Sequence, residues 1–137
     1  MPAKKNKGQV QLETYTLEIY GETRWTLNKE RTLHYHQRSK LVKEWRDAAA
    51  SVAIARKIPK RLRAIEVRFT PHRRSGKGRG ADTGGHFPVA KACIDGLVDA
   101  GILWEDGPDI VRRLIFEAPI VSGESKVVLQ ITELEAR

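Results

Sequence analysis

The stretch PVAKACIDGLVDAG, residues 88–101, decides how the rest of this sequence is read. Pro88 suits a first helical turn, because the N–H it lacks is one a helix leaves unbonded there. Val89, Cys93, Ile94, Leu97 and Val98 then recur at three- and four-residue steps, and Gly101 follows as a natural residue just past a helix end. This is an amphipathic helix, and its stripe needs a surface to cover. Upstream, Ile65, Val67 and Phe69 alternate with Glu66, Arg68 and Thr70, the pattern of a strand, with Pro71 expected to end it. Downstream, 110–117 is a β-branched run.

Further out the same two periods recur. Tyr15, Leu17 and Ile19 share one face of an extended Thr14–Tyr20 segment. Leu41, Trp45, Ala48, Ala49, Val52 and Ala55 form a helical stripe over about 39–57, closed by Pro59. A second β-branched run, 126–133, is expected to pair with 110–117. The order strand, helix, strand, loop, helix, strand, strand predicts an α+β fold: a small mixed four-stranded sheet with two helices packed on one face. The other face is left to bind or to pair with a second copy. Residues 1–12, with Lys4, Lys5 and Lys7, read as a flexible basic tail, and 13–137 as a single domain.

Composition sets the partner class. The 137 residues carry 25 Lys and Arg against 17 Asp and Glu, a net +8, with 40% apolar residues, enough to build a core. Nothing approaches the roughly 18 uninterrupted apolar residues of a bilayer span, and the basic, polar first ten residues lack a signal peptide's apolar region. A lone Cys93 excludes an intramolecular disulfide and a multi-cysteine zinc site, so a reducing, cytoplasmic setting is expected. The charge is uneven: residues 1–81 hold 20 basic and 7 acidic side chains, residues 82–137 hold 5 and 10. A basic part that grips a polyanion, beside a gathering of carboxylates, points to nucleic acid.

Several motifs bear on the chemistry. In the glycine-rich loop 71–86, Arg73, Arg74, Lys77 and Arg79 join Lys60, Arg61 and Arg63 as one expected phosphate-tracking surface; the plainer alternative is a solvated charged face. Gly76-Lys77-Gly78 is not a phosphate loop, since Ser or Thr does not follow the lysine and no helix starts there. His34-Tyr35-His36 would aim two imidazoles one way only on a strand, so surface histidines or a base-stacking Tyr35 is the better reading. Asp82, and Glu105, Asp106 and Asp109 after the helix, bring carboxylates from two segments toward one place. Magnesium takes such hard oxygen ligands and stabilises charge on a phosphodiester under attack. Equally, Asp82 and Asp106 are residues that cap turns. Lys91 and Asp95 stand four apart on the helix, an ordinary surface pair, but Lys91 lies near the N-terminal end, where a cation opposes the helix dipole and a bound phosphate would offset that cost.

Lys91-Ala92-Cys93-Ile94-Asp95-Gly96-Leu97, then Ala100-Gly101 and Trp104-Glu105-Asp106, resembles the signature of the RusA-type Holliday junction resolvases of phages and prophages. Asn28 and Trp45-Arg46 also look similar to family positions, and the resemblance covers roughly 17–129, its specific part being 82–106. It implies a homodimeric, Mg²⁺-dependent endonuclease, with Mn²⁺ as a substitute, that makes paired nicks in four-way DNA junctions during recombination, repair or phage DNA processing. By position, Asp106 matches a metal-binding aspartate, Lys91 the family lysine, Asp95 the helix acid and Asp82 one of two aspartates ahead of the helix. The family's Asp-x-Asp-Asn is here Asp82-Thr-Gly-Gly-His86, with a single aspartate further upstream. Together with the acidic turn and the basic clusters, the resemblance gives the expectation of metal at Asp82, Asp106 and Asp109, catalysis by Asp82, Asp106, Lys91 and His86 as ligand or base, and DNA contacts through the basic residues and Asn28. The alternative is a branched-DNA-binding protein of the same fold without catalysis.

Overall fold

The computed structural model describes residues 12–22, 25–76 and 81–136. The basic tail through residue 11, and the candidate DNA contacts Lys77 and Arg79, lie outside them.

The fold is α+β. Strand β1 (Thr14–Tyr20) is followed by a single helical turn, α1 (Leu27–Glu30), and a long helix, α2 (Tyr35–Ala55). Then come β2 (Ile65–Arg73), α3 (Phe87–Asp99), β3 (Val111–Phe116), the two-residue β4 (Ile120–Val121) and β5 (Lys126–Glu133). The sheet order is β1-β5-β2-β3, with β4 also on β2, so there are five strands and three helices where four and two were expected. β5 runs antiparallel to both β1 and β2, whereas β3 and β4 run parallel to β2.

Alternation fixes the two sheet faces. Leu17 and Ile19 of β1, Ile65, Val67 and Phe69 of β2, and Val127, Leu129 and Ile131 of β5 are buried in one core with Trp45, Ala49 and Ala53 of α2 and Val89, Cys93, Ile94 and Leu97 of α3. Both long helices therefore cover one face. Fully burying a side chain such as Phe69 contributes on the order of 1.5–3 kcal/mol. The opposite face is laced with ion pairs: Arg68 to Glu117, Arg113 to Glu66 at 3.3 Å, and Lys126 to Glu18 at 2.9 Å. Where α2 and α3 cross, Gly96 is required by space. A Cβ there would lie 2.4 Å from the Arg46 carbonyl oxygen and 2.9 Å from the Ala49 Cβ. The Arg46 guanidinium closes the crossing with a two-point bond to Asp99, at 2.7 and 2.8 Å.

Three expectations change. The helix expected from about Ser39 begins at Tyr35, where the His34 N–H donates to the Gln37 side chain at 3.1 Å; this polar start carries no apolar period. It also removes the strand geometry that two metal-binding histidines would need. Pro71 does not end β2. The Phe69 and Arg73 carbonyls accept from Glu117 and Ser122 on the β3–β4 side, so the alternate residue Pro71 points its missing N–H at that same side. There β3 has stopped at Phe116 and β4 has not begun, so the strand loses no ladder bond. Finally, the runs 110–117 and 126–133 do not pair with each other. β2 lies between them, because α3 carries the chain over the sheet and returns β3 parallel to β2, as a β-α-β connection does. The expected end of α3 holds, with Gly101 at φ +78°.

Among the described residues no helix is long and apolar enough to cross a membrane.

Candidate active site

The site is built around the first half of α3. Its start is fixed by a run of rings, Phe69 to Phe116 at 5.8 Å and Phe116 to Phe87 at 6.0 Å, and by Pro88 in the first turn. Lys91, one turn in, donates to Asp95 at 2.9 Å and to Asp106 of the turn that follows the helix. Burial alone would push the Lys91 ammonium down, but the hydrogen bonds and charges of Asp106 and Asp95 outweigh it and hold its pKa above the usual lysine value. The Asp106 carboxyl is held below its usual range, first by the Lys91 hydrogen bond. The cost of a cation near a helix start is thus already offset by two carboxylates.

α1 forms the opposite wall. The Thr26 hydroxyl accepts from the Lys29 N–H at 3.2 Å, and the Leu27 N–H donates to the Gly85 carbonyl at 2.8 Å, pinning this turn against the segment before α3. That segment is tight: the Gly85 N–H donates to the Asp82 carbonyl at 2.8 Å, and a Cβ on Gly85 would lie 2.9 Å from the same oxygen. Asn28 and Asp82 consequently line one cleft of about 560 Å³ with Thr26, Thr83 and Gly84. Leu27 also lines a second groove of about 310 Å³ with Trp25, Glu30, Val42, Phe87, Lys91 and Asp95. The two recesses adjoin at Leu27, so Asn28 and Asp82 lie on one side and Lys91, Asp95 and Glu30 on the other.

Glu30 was not foreseen. It sits in a polar stretch without periodicity, yet its carboxylate accepts from the Trp25 indole N–H and pairs with Arg38 at 3.0 Å. The remaining candidates separate. The structure does not bring Asp82, Asp106 and Asp109 into one metal-holding group, and no cluster of three or more His, Cys, Asp or Glu side chains suited to a metal occurs among the described residues. At Asp109 the backbone carbonyl accepts from the Arg112 side chain at 3.3 Å. His86, expected as an open ligand or base, is buried just before α3, with Nδ1 3.3 Å from the Trp25 carbonyl. Since a carbonyl only accepts, that nitrogen carries the proton. Burial pushes its pKa down and keeps the ring neutral.

Nor do the basic residues form one surface. Lys60, Arg61 and Arg63 precede β2 while Arg73 and Arg74 end it, and an extended strand of this length separates the two groups by roughly 30 Å. Arg63 reaches the Ala136 carbonyl at 3.5 Å; Arg74 lines a recess with Tyr20, Glu22 and Glu124; and the charge of Arg73 acts on His86. Arg61 stacks over Trp104, 5.3 Å from the ring centre.

Compared with protein-family models and with curated proteins, the chain matches none.

Proposed function

We propose that this protein is a Mg²⁺-dependent, structure-selective endodeoxyribonuclease that resolves Holliday junctions and other branched DNA by paired nicks, acting as a RusA-like homodimer. The observation that carries the reading is the Lys91 ammonium held by Asp95 and Asp106 beside the cleft of Asp82 and Asn28. Acids and a lysine at one helix, flanked by basic segments at both ends of β2, are what phosphodiester hydrolysis asks of a side-chain set. Magnesium commonly takes one or two carboxylates and completes its shell with water and substrate phosphate. Asp82 in its cleft and Asp106 beside Lys91, which the structure does not gather into one group, are the carboxylates this reading assigns to it, and once bound it would activate water and neutralise phosphate charge. Lys91 stabilises the charge that develops on the non-bridging oxygens, and Arg73 and Arg74 hold the strands.

A second reading, binding of branched DNA without cutting, is favoured by His86. Its ring is buried and bonded to Trp25, so it does not replace the missing aspartate. The deciding experiment is nicking of a labelled four-way junction against a linear duplex of the same sequence, with Mg²⁺ or EDTA, by wild type, Asp82→Asn and Asp106→Asn. Paired symmetric nicks by wild type alone, abolished by EDTA while binding persists, support the nuclease. Equal junction binding by all three with no nicks supports the binder, and cutting indifferent to EDTA refutes the first reading.

A further inference from the structure

Trp104 stands apart from the other two tryptophans. Trp25 and Trp45 are 3% and 4% exposed, whereas Trp104 is 70% exposed on the turn that follows α3. An indole left in water next to a packed core has no role in that core. Arg61 covers part of it, with its guanidinium carbon 5.3 Å from the ring centre. The arginine is placed there by an uncommon backbone: its φ is +58°, in the left-handed region that residues with a Cβ seldom occupy. The neighbouring backbone holds that conformation, with the Arg61 N–H on the Gly101 carbonyl at 3.1 Å and the Leu62 N–H on the Ile102 carbonyl at 2.9 Å. An outlier kept in place by its surroundings is where a functional reason is worth seeking.

We infer that Trp104 and Arg61 form a platform on which an unpaired DNA base stacks. A rigid ring with a guanidinium on it offers a base both aromatic stacking and positive charge, and it does so without regard to sequence. Lys60, whose side chain passes Gly101 just ahead of Trp104, supplies a cation for a flanking phosphate. Trp104 lies two residues from Asp106, at most about 7 Å along an extended chain, so a base stacked there brings its backbone toward the Lys91–Asp106 pair. The inference rests on the nucleic-acid part of the proposed function and deepens it: the preferred substrate has an unpaired or splayed base at the branch.

The probe is the oligonucleotide (dT)15, titrated without metal while tryptophan emission is followed, together with its affinity for wild type, Trp104→Phe, Trp104→Ala and Arg61→Gln. Because Trp25 and Trp45 are buried, iodide-quenchable emission reports Trp104. The expected result is quenching in wild type that disappears in Trp104→Phe, which keeps most of the affinity, and binding weakened roughly 5- to 150-fold in Trp104→Ala. Arg61→Gln weakens binding several-fold. Should Trp104→Ala not fold, the Trp104→Phe comparison still decides. Wild-type affinity in Trp104→Ala, iodide access unchanged at saturating (dT)15, or protection of Trp104 that depends on protein concentration without DNA would each overturn the platform. Quenching by (dT)15 from a protein that never nicks a junction keeps the platform and removes the nuclease. Normal nicking by Trp104→Ala, with no quenching of wild type, does the reverse.

Discussion

The Lys91 ammonium and the Asp106 carboxylate, fifteen residues apart in the chain, are bonded directly across the turn that follows α3, and Asp95 holds the same ammonium from one helical turn further on. The acidic turn is therefore placed by a lysine. Removing that lysine should release Asp106: in Lys91→Ala, ¹³C-detected titration of its carboxyl should move up toward the ordinary aspartate value. The wild-type depression favours the native state above about pH 4, the unfolded value, and that contribution is lost as pH falls through the lower folded value. Asp106 is 39% exposed and Lys91 48%, so screening limits the pair to about 1 kcal/mol or less. Stability should barely change while nicking falls about 10²- to 10³-fold, the usual cost of losing one charge-stabilising donor. An unmoved Asp106 titration would sink this account of the site.

His86 sets an acid limit on the fold. Its folded pKa is depressed by burial, so below about pH 6.5 the unfolded chain takes up a proton that the native one refuses, and stability falls as pH drops toward the folded value. His72 is shifted in the same direction, also by burial, and adds to the slope. Urea midpoints at pH 7.5 and 5.5 should differ clearly for wild type and less for His86→Gln. Parallel pH dependence in the two proteins would count against a buried neutral ring.

Gly96→Ala is expected to destabilise, although alanine is the better helix former by about 1 kcal/mol. The added methyl meets the Arg46 carbonyl and Ala49, and forcing two helices apart costs about 1–3 kcal/mol in a packed core. A lower urea midpoint for Gly96→Ala is the check, and a midpoint equal to or above wild type would mean that the crossing has slack.

Cys93 should be inert. It is fully buried, and burial raises its thiol pKa well above the ordinary value, leaving almost no thiolate at neutral pH. A thiol reagent such as dithiobisnitrobenzoate should label it only in denaturant. Rapid labelling of the native protein would show that α3 opens.

Where a single period ran through a segment, the sequence was enough. Thr14–Tyr20 alternates cleanly because one sheet face meets water, and α3 carries an unbroken stripe between Pro88 and Gly101. The start of α2 escaped because Gln37 begins it through a backbone bond, leaving no apolar mark on His34 to Arg38. Pro71 misled because its effect depends on what stands beside the strand, and that is a gap between β3 and β4. In the site, the Lys91–Asp95 bond follows from helical spacing, but the bond to Asp106 depends on how the chain turns after Gly101. The bond of the buried His86 ring to the Trp25 carbonyl and the stacking of Arg61 on Trp104 join distant segments whose meeting no local pattern announces.

The place of β5 has a further consequence for how the chain comes to be folded. Among the described residues β1 pairs with β5 alone, and Thr14 faces Thr132 across more than a hundred residues. During synthesis β1 must therefore wait, edge exposed, for a partner made more than a hundred residues later, while β2, α3 and β3 can already dock as a local unit. The sheet is finished by insertion, β5 entering between two strands that are not neighbours in the sheet. Until that moment two open edges are available for wrong pairing, and the demand for chaperone protection should fall once β5 has been made.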